Sequence, residues 1–183
     1  MFVRSLKIAG AVLALAATTA AAQKVVSTKM GKGGSPHETV EYSVGGAKIT
    51  ISYGRPFLKG RPLAKIDPAF ELTGKIWRTG ADEATTLTTD KSLMFGSLMV
   101  PAGTYTLYTV PGPTTWKLVV SKQTGQWGTE YDESKDLGRA DLKVEKLPKP
   151  ADQFTISIVE AGGSPTLNLD WGTTRATTPF MVH

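Results

Sequence analysis

The sequence predicts an all-β fold, an antiparallel β-sandwich of about nine or ten short strands with one long irregular, proline-rich segment. Three observations carry the prediction. Apolar and polar residues alternate with period 2 in run after run, the pattern of half-buried strands. Glycine-containing turn signals such as Gly45-Gly46 and Gly96-Ser97 fall between the runs, where tight hairpins need φ > 0. Pro56, Pro62 and Pro68 crowd into one segment, where missing donors and fixed φ exclude a long helix or a central strand.

In chain order, the first element is a targeting pattern. Arg4 and Lys7 precede the short apolar run Ile8–Ala17, and Ala20-Ala21-Ala22 offers small residues for cleavage. A secretory signal peptide over residues 1–22 is expected, with export to the periplasm or the medium. The apolar run is short for a bilayer, so no membrane insertion is expected after cleavage. Loss of Arg4 and Lys7 takes the net charge from +5 to +3. A mild, scattered positive charge without basic–aromatic interleaving argues against a nucleic-acid partner. The chain has no cysteine, which excludes disulfides, thiolate nucleophiles and thiolate metal sites.

Residues 23–36 are polar and Gly/Lys-rich and read as a flexible lead-in to a single domain over 37–183. Val40, Tyr42 and Val44 alternate with polar residues, Gly45-Gly46 turns the chain, and Ile49, Ile51 and Tyr53 alternate on the return. Within the irregular Arg55–Gly74, Asp67 is placed to cap one helical turn that starts at Pro68. Strand character resumes over about Glu83–Thr89, Ser92–Phe95, Leu98–Val100, Thr104–Val110 and Thr115–Ser121. A Gly-containing loop, Gln123–Gly138, separates these from Arg139–Lys146, Phe154–Val159, Leu167–Trp171 and an edge over Arg175–Met181.

Six runs stand out: I-T-I-S-Y-G-R-P (Ile49–Pro56), K-G-R (Lys59–Arg61), K-I-W-R-T-G-A-D-E-A-T-T (Lys75–Thr86) and P-A-G-T-Y-T-L-Y-T-V-P (Pro101–Pro111), then Q-W-G-T-E-Y-D (Gln126–Asp132) and D-L-G-R-A (Asp136–Ala140). In this order they resemble the domain-of-unknown-function 2911 family. The resemblance implies an exported bacterial protein with a β-sandwich fold, and it implies no activity, substrate or catalytic residue.

Chemistry must therefore be read from the residues. Lys75–Thr86 gathers a tryptophan, a guanidinium and two carboxylates beside a strand scaffold, where sites commonly lie. On a regular strand Asp82 and Glu83 would face opposite sides, so joint acid–base work requires a turn at Gly80-Ala81. Strand parity puts Glu83 on the inner face with Thr85 and Leu87, where a carboxylate needs a partner. Arg78, Arg55 and Arg61 are the available guanidinia, and an Arg78–Glu83 pair is either a ligand-facing site or a structural clasp.

Trp77 and Trp127 stand in Gly-containing loops, where a tryptophan either stacks on a sugar or anchors the loop. Trp116 and Trp171 follow core parity. His37 is the only histidine besides His183, and with no second histidine beside it no metal site is assigned. No nucleophile elbow, P-loop or dinucleotide fingerprint occurs. The expectation is a non-catalytic binding module for a small ligand or a cell-envelope glycan, without cofactor or metal. Trp77, Arg78, Asp82, Glu83, Trp127 and Tyr131 are its candidate ligand-binding residues. The rivals are an envelope hydrolase or lyase using Glu83 or Asp82 with Arg78, and a structural protein whose signature block is a folding clasp.

Overall fold

The computed structural model describes residues 19–20, 22–71, 74–161 and 163–183. Most of the expected signal segment lies outside the described residues. All the described strands pair antiparallel: β1 (Thr19–Ala20), β2 (Ala22–Met30), β3 (Pro36–Val44), β4 (Ala47–Gly54), β5 (Thr86–Thr89), β6 (Leu93–Phe95), β7 (Leu98–Val100), β8 (Gly103–Val110), β9 (Thr115–Ser121), β10 (Asp136–Ala161), β11 (Ser164–Pro179) and β12 (Met181–Val182). The large sheet runs β1-β10-β9-β8-β5-β4-β3-β2 with β11 on β10, and a small sheet runs β12-β6-β7. This is the expected all-β, antiparallel sandwich.

The hairpin signals hold at residue level. Val44 pairs with Ala47 across Gly45 and Gly46, whose φ values of 57° and 74° give the turn the twist that flanking strands favour. Phe95 pairs with Leu98 across Gly96-Ser97. Asp67 accepts from Ala69 N at 2.9 Å and caps a short 3-10 turn, Pro68–Phe70.

Two elements differ from expectation. Arg139–Lys146 and Phe154–Val159 are parts of one bent strand, β10. Pro148 and Pro150 lack an N–H, so pairing to β11 lapses between Lys146 and Ala151 while the backbone stays extended. The stretch read as a flexible lead-in is largely strand β2. It pairs with β3 from Ala22↔Ser43 to Met30↔Pro36, an edge whose nine side chains are all exposed. With neither face buried it shows no hydrophobic alternation, so periodicity could not reveal it.

The far half of β10 folds back over β3 and β4. Tyr42 and Tyr53 donate to the Ile156 carbonyl at 3.1 and 3.4 Å, and Ile156 N donates to Tyr53 Oη at 3.0 Å. The core between these walls is aromatic. Trp77 stacks on Trp171 at 5.4 Å with 15° between the rings, and Phe70, Trp116 and Phe154 meet Trp77 edge-on at 5.0–6.2 Å. Trp116 and Trp171 are core residues, as parity predicts.

Candidate functional site

The signature block is tied to the scaffold on both sides. Trp77 N donates to Thr109 O at 2.7 Å and Thr109 N to Trp77 O at 3.0 Å, which fastens the block to β8. Past it, Gly128 N donates to Asp82 O at 2.9 Å and Ala84 N to Gln126 O at 3.2 Å. The signature block and the Gln123–Gly138 loop therefore meet here. Between these ties the chain bends, with Thr79 and Asp82 in the left-handed region at φ 54° and 63°. Thr85 Oγ1 donates to Thr79 O at 2.7 Å and closes the bend internally.

Gly54 lets the bend lie flat on the end of β4. A Cβ built there would stand 2.2 Å from the Ala81 carbonyl oxygen. Because the obstacle is backbone, Gly54→Ala should shift the bend and destabilise the fold by about 1–3 kcal/mol. Thermal denaturation checks this; a variant as stable as the wild type would show that the bend is not seated on Gly54.

The bend brings Asp82 and Glu83 to the same histidine. His37 Nε2, on β3, lies 3.1 Å from Asp82 Oδ2 and 3.5 Å from Glu83 Oε2. The Asp82 and His37 side chains are 7% and 5% exposed, while Glu83 is 39% exposed with its Oε2 buried and without a hydrogen-bond partner. The opposite-face geometry expected of the two carboxylates is thus corrected, since the left-handed Asp82 breaks strand parity and β5 begins only at Thr86. Asp is among the few side chains that tolerate that conformation.

The expected Arg78–Glu83 pair is not formed among the described residues. Arg78 lies along Gly128, whose built Cβ would fall 2.8 Å from Arg78 Cδ, and its Nε is buried without a partner. Arg55 is taken by Glu38 in a short ion pair and also donates to Phe154 O and Thr155 Oγ1. Arg61 binds the carbonyls of Leu58 and Phe57.

Trp77, expected at the site, is 1% exposed in the aromatic core and offers a ligand no face. Trp127 is half-buried and pairs its backbone with Glu83. Tyr131 belongs to a separate cluster. It donates to Asp136 Oδ2 at 2.7 Å and accepts from Arg139 at 3.0 Å, and burial pushes its hydroxyl up to about 12.

A pocket of about 180 Å³ opens beside Glu83, lined also by Lys29, His37, Tyr53, Thr86 and Gln126. Gln126 Nε2 donates to Thr106 Oγ1 and Tyr108 Oη at 3.2 and 3.0 Å, leaving its Oε1 buried and unpartnered. Burial pushes the Tyr53 hydroxyl up to about 12, and both its bonds go to Ile156, so it is no acid or base. The Gly31–Gly34 turn covers the carboxylate–histidine pair. Cβ atoms at Gly31 and Gly33 would each stand 2.1 Å from an Asp82 carboxylate oxygen. The glycines of the expected flexible lead-in thus form a close-fitting cover.

His37, Lys29 and Gln126 were not among the expected site residues. The alternation after His37 marks the strand that carries it, but with β2 unmarked the sequence does not show the hairpin that brings it to Asp82. No pattern in the sequence marks Gln126.

A protein-family model described as "Protein of unknown function (DUF2911)" matches residues 35–180. Comparison with curated proteins and with solved structures finds no match.

Proposed function

The chain belongs to the DUF2911 family of proteins of unknown function, and from the pocket we propose that it is a non-catalytic binding module for a small hydroxylated ligand, a free saccharide or the exposed end of a cell-envelope glycan. The observation that carries this is the half-exposed Glu83 carboxylate beside the unpartnered Gln126 Oε1. Both are acceptors, so the ligand must bring donors, and hydroxyls are the donors a glycan offers. Buried acceptors without partners are costly, which favours a ligand that satisfies them. The pocket is smaller than the roughly 300 Å³ where drug-sized sites begin, so it suits one sugar unit rather than a chain. Export follows from the Arg4–Ala22 pattern and is part of the proposal.

A second reading, an envelope hydrolase or lyase, is favoured by the contact of His37 Nε2 with two carboxylates, a constellation suited to proton transfer. It loses Arg78 as its electrostatic stabiliser, because that side chain is not in the pocket lining.

A thermal-shift screen in chelator, against monosaccharides and peptidoglycan fragments, tests the proposal. A ligand at a hundredfold its Kd should raise Tm by about 5–10 °C. Glu83→Ala should abolish the rise and leave the unliganded Tm almost unchanged. A Glu83→Ala protein that keeps the rise, or a screen without a hit, would sink the idea. Turnover of a hit would move the assignment to the hydrolase.

A further inference from the structure

We propose that His37, Asp82 and Glu83 form a binding site for one divalent first-row cation, best matched by Zn²⁺. The site shares Glu83 with the pocket but does not depend on the pocket's ligand. Its donor set is one imidazole nitrogen and two carboxylate oxygens, contributed by β3 and by the Thr79–Asp82 bend with its neighbour Glu83. Such mixed N/O ligands suit zinc, and the carboxylates also accept manganese.

The spacing fits. Bonds of about 2.0–2.2 Å set at tetrahedral angles put ligand atoms roughly 3.3–3.6 Å apart. His37 Nε2 stands 3.1 and 3.5 Å from Asp82 Oδ2 and Glu83 Oε2, and the three donor atoms all lie within 4.8 Å of one another. Even a carboxylate–carboxylate separation at that 4.8 Å bound exceeds the tetrahedral span by only about 1 Å, and Glu83, the one half-exposed member, is free to adjust.

Charge points the same way. Among the described residues no Lys or Arg lies within ion-pair distance of Asp82 or Glu83; Lys29 lines the pocket beside them without pairing to either. Two adjacent carboxylates, one of them nine-tenths buried, repel each other and invite a cation. Glu83 Oε2 supplies the independent sign: it is buried, has no hydrogen-bond partner, and is turned toward the histidine. The Gly31–Gly34 turn packs on Asp82 and His37, and His37 and Glu83 also line the pocket, so the coordination position that three protein ligands leave is reached from the pocket.

The structural alternative is a plain His–Asp hydrogen bond pinning the bend to β3. Chelator-treated protein titrated with Zn²⁺ alone separates the two. Calorimetry should show one equivalent bound, and Co²⁺ in its place should develop a visible absorption band. Glu83→Gln should weaken binding at least tenfold with an unchanged circular dichroism spectrum, and His37→Asn should remove the Co²⁺ band. His183→Ala, at the exposed C-terminus, should bind as wild type does. Absence of stoichiometric Zn²⁺ uptake, uptake unaffected by Glu83→Gln, or uptake lost with His183→Ala would each overturn the proposal. If His37→Asn fails to fold, Glu83→Gln decides alone. No saccharide is present in this assay and no free metal in the ligand screen, so either reading can fail without the other.

Discussion

Trp77→Ala is expected to cost about 3–5 kcal/mol, the range for emptying a fully buried aromatic site. In a domain of this size that lowers Tm by roughly 6–20 °C. The ring stacks on Trp171 and meets Phe70, Trp116 and Phe154, so its removal leaves a hole that four large, mutually braced rings cannot easily fill. The backbone tie of residue 77 to Thr109 survives the substitution, so the loss measures the side chain. Trp127→Ala, at a half-buried position, should cost less than half as much. Equal Tm values for the two variants in thermal denaturation would contradict the division between a core tryptophan and a loop tryptophan.

That division was only partly legible in the sequence. Trp116 and Trp171 sit in alternating runs, where parity alone places them inside. Trp77 sits between Pro-rich chain and Gly80, with no period to read, and its burial depends on Phe70 in the same irregular stretch and on Trp116, Phe154 and Trp171 from distant strands. Strands with one buried face were legible for the same reason that β2 was not: alternation records burial, and β2 buries neither face. The site was legible as a block but not as a geometry. Its composition marked Asp82 and Glu83, yet their convergence depends on a left-handed Asp82 and on a glycine at 54 that admits the Ala81 carbonyl. Both are tertiary facts. His37 entered from a stretch whose glycines look like slack chain and are in fact required by close contact with Asp82.

The arginine clasp of this fold lies outside the signature block, between Arg55 and Glu38, and Arg55→Ala should therefore exceed Arg78→Ala in cost. Arg55 pairs with the largely buried Glu38 and donates to Phe154 O at 3.2 Å and Thr155 Oγ1 at 2.9 Å, joining β3 to the returning half of β10. Its guanidinium also lies 5.9 Å from the centre of the Tyr53 ring. Truncation strands the Glu38 carboxylate against the core. Breaking a fully buried pair costs 3–5 kcal/mol, and because Arg55 keeps some exposure the expected loss is about 2–4 kcal/mol. Arg55→Lys should recover little, since an ammonium cannot reproduce a fork that serves a carboxylate, a carbonyl and a hydroxyl together. Among the described residues Arg78 makes no ion pair, so Arg78→Ala loses mainly alkyl packing on Gly128 and should cost about 1 kcal/mol or less. Combining Arg55→Ala with Glu38→Ala should be less destabilising than the two losses added, because the second truncation removes the charge that the first left unpaired. Urea denaturation of the four variants measures all of this. A larger loss for Arg78→Ala than for Arg55→Ala would return the clasp to Arg78 and leave Glu83 without its freedom to bind.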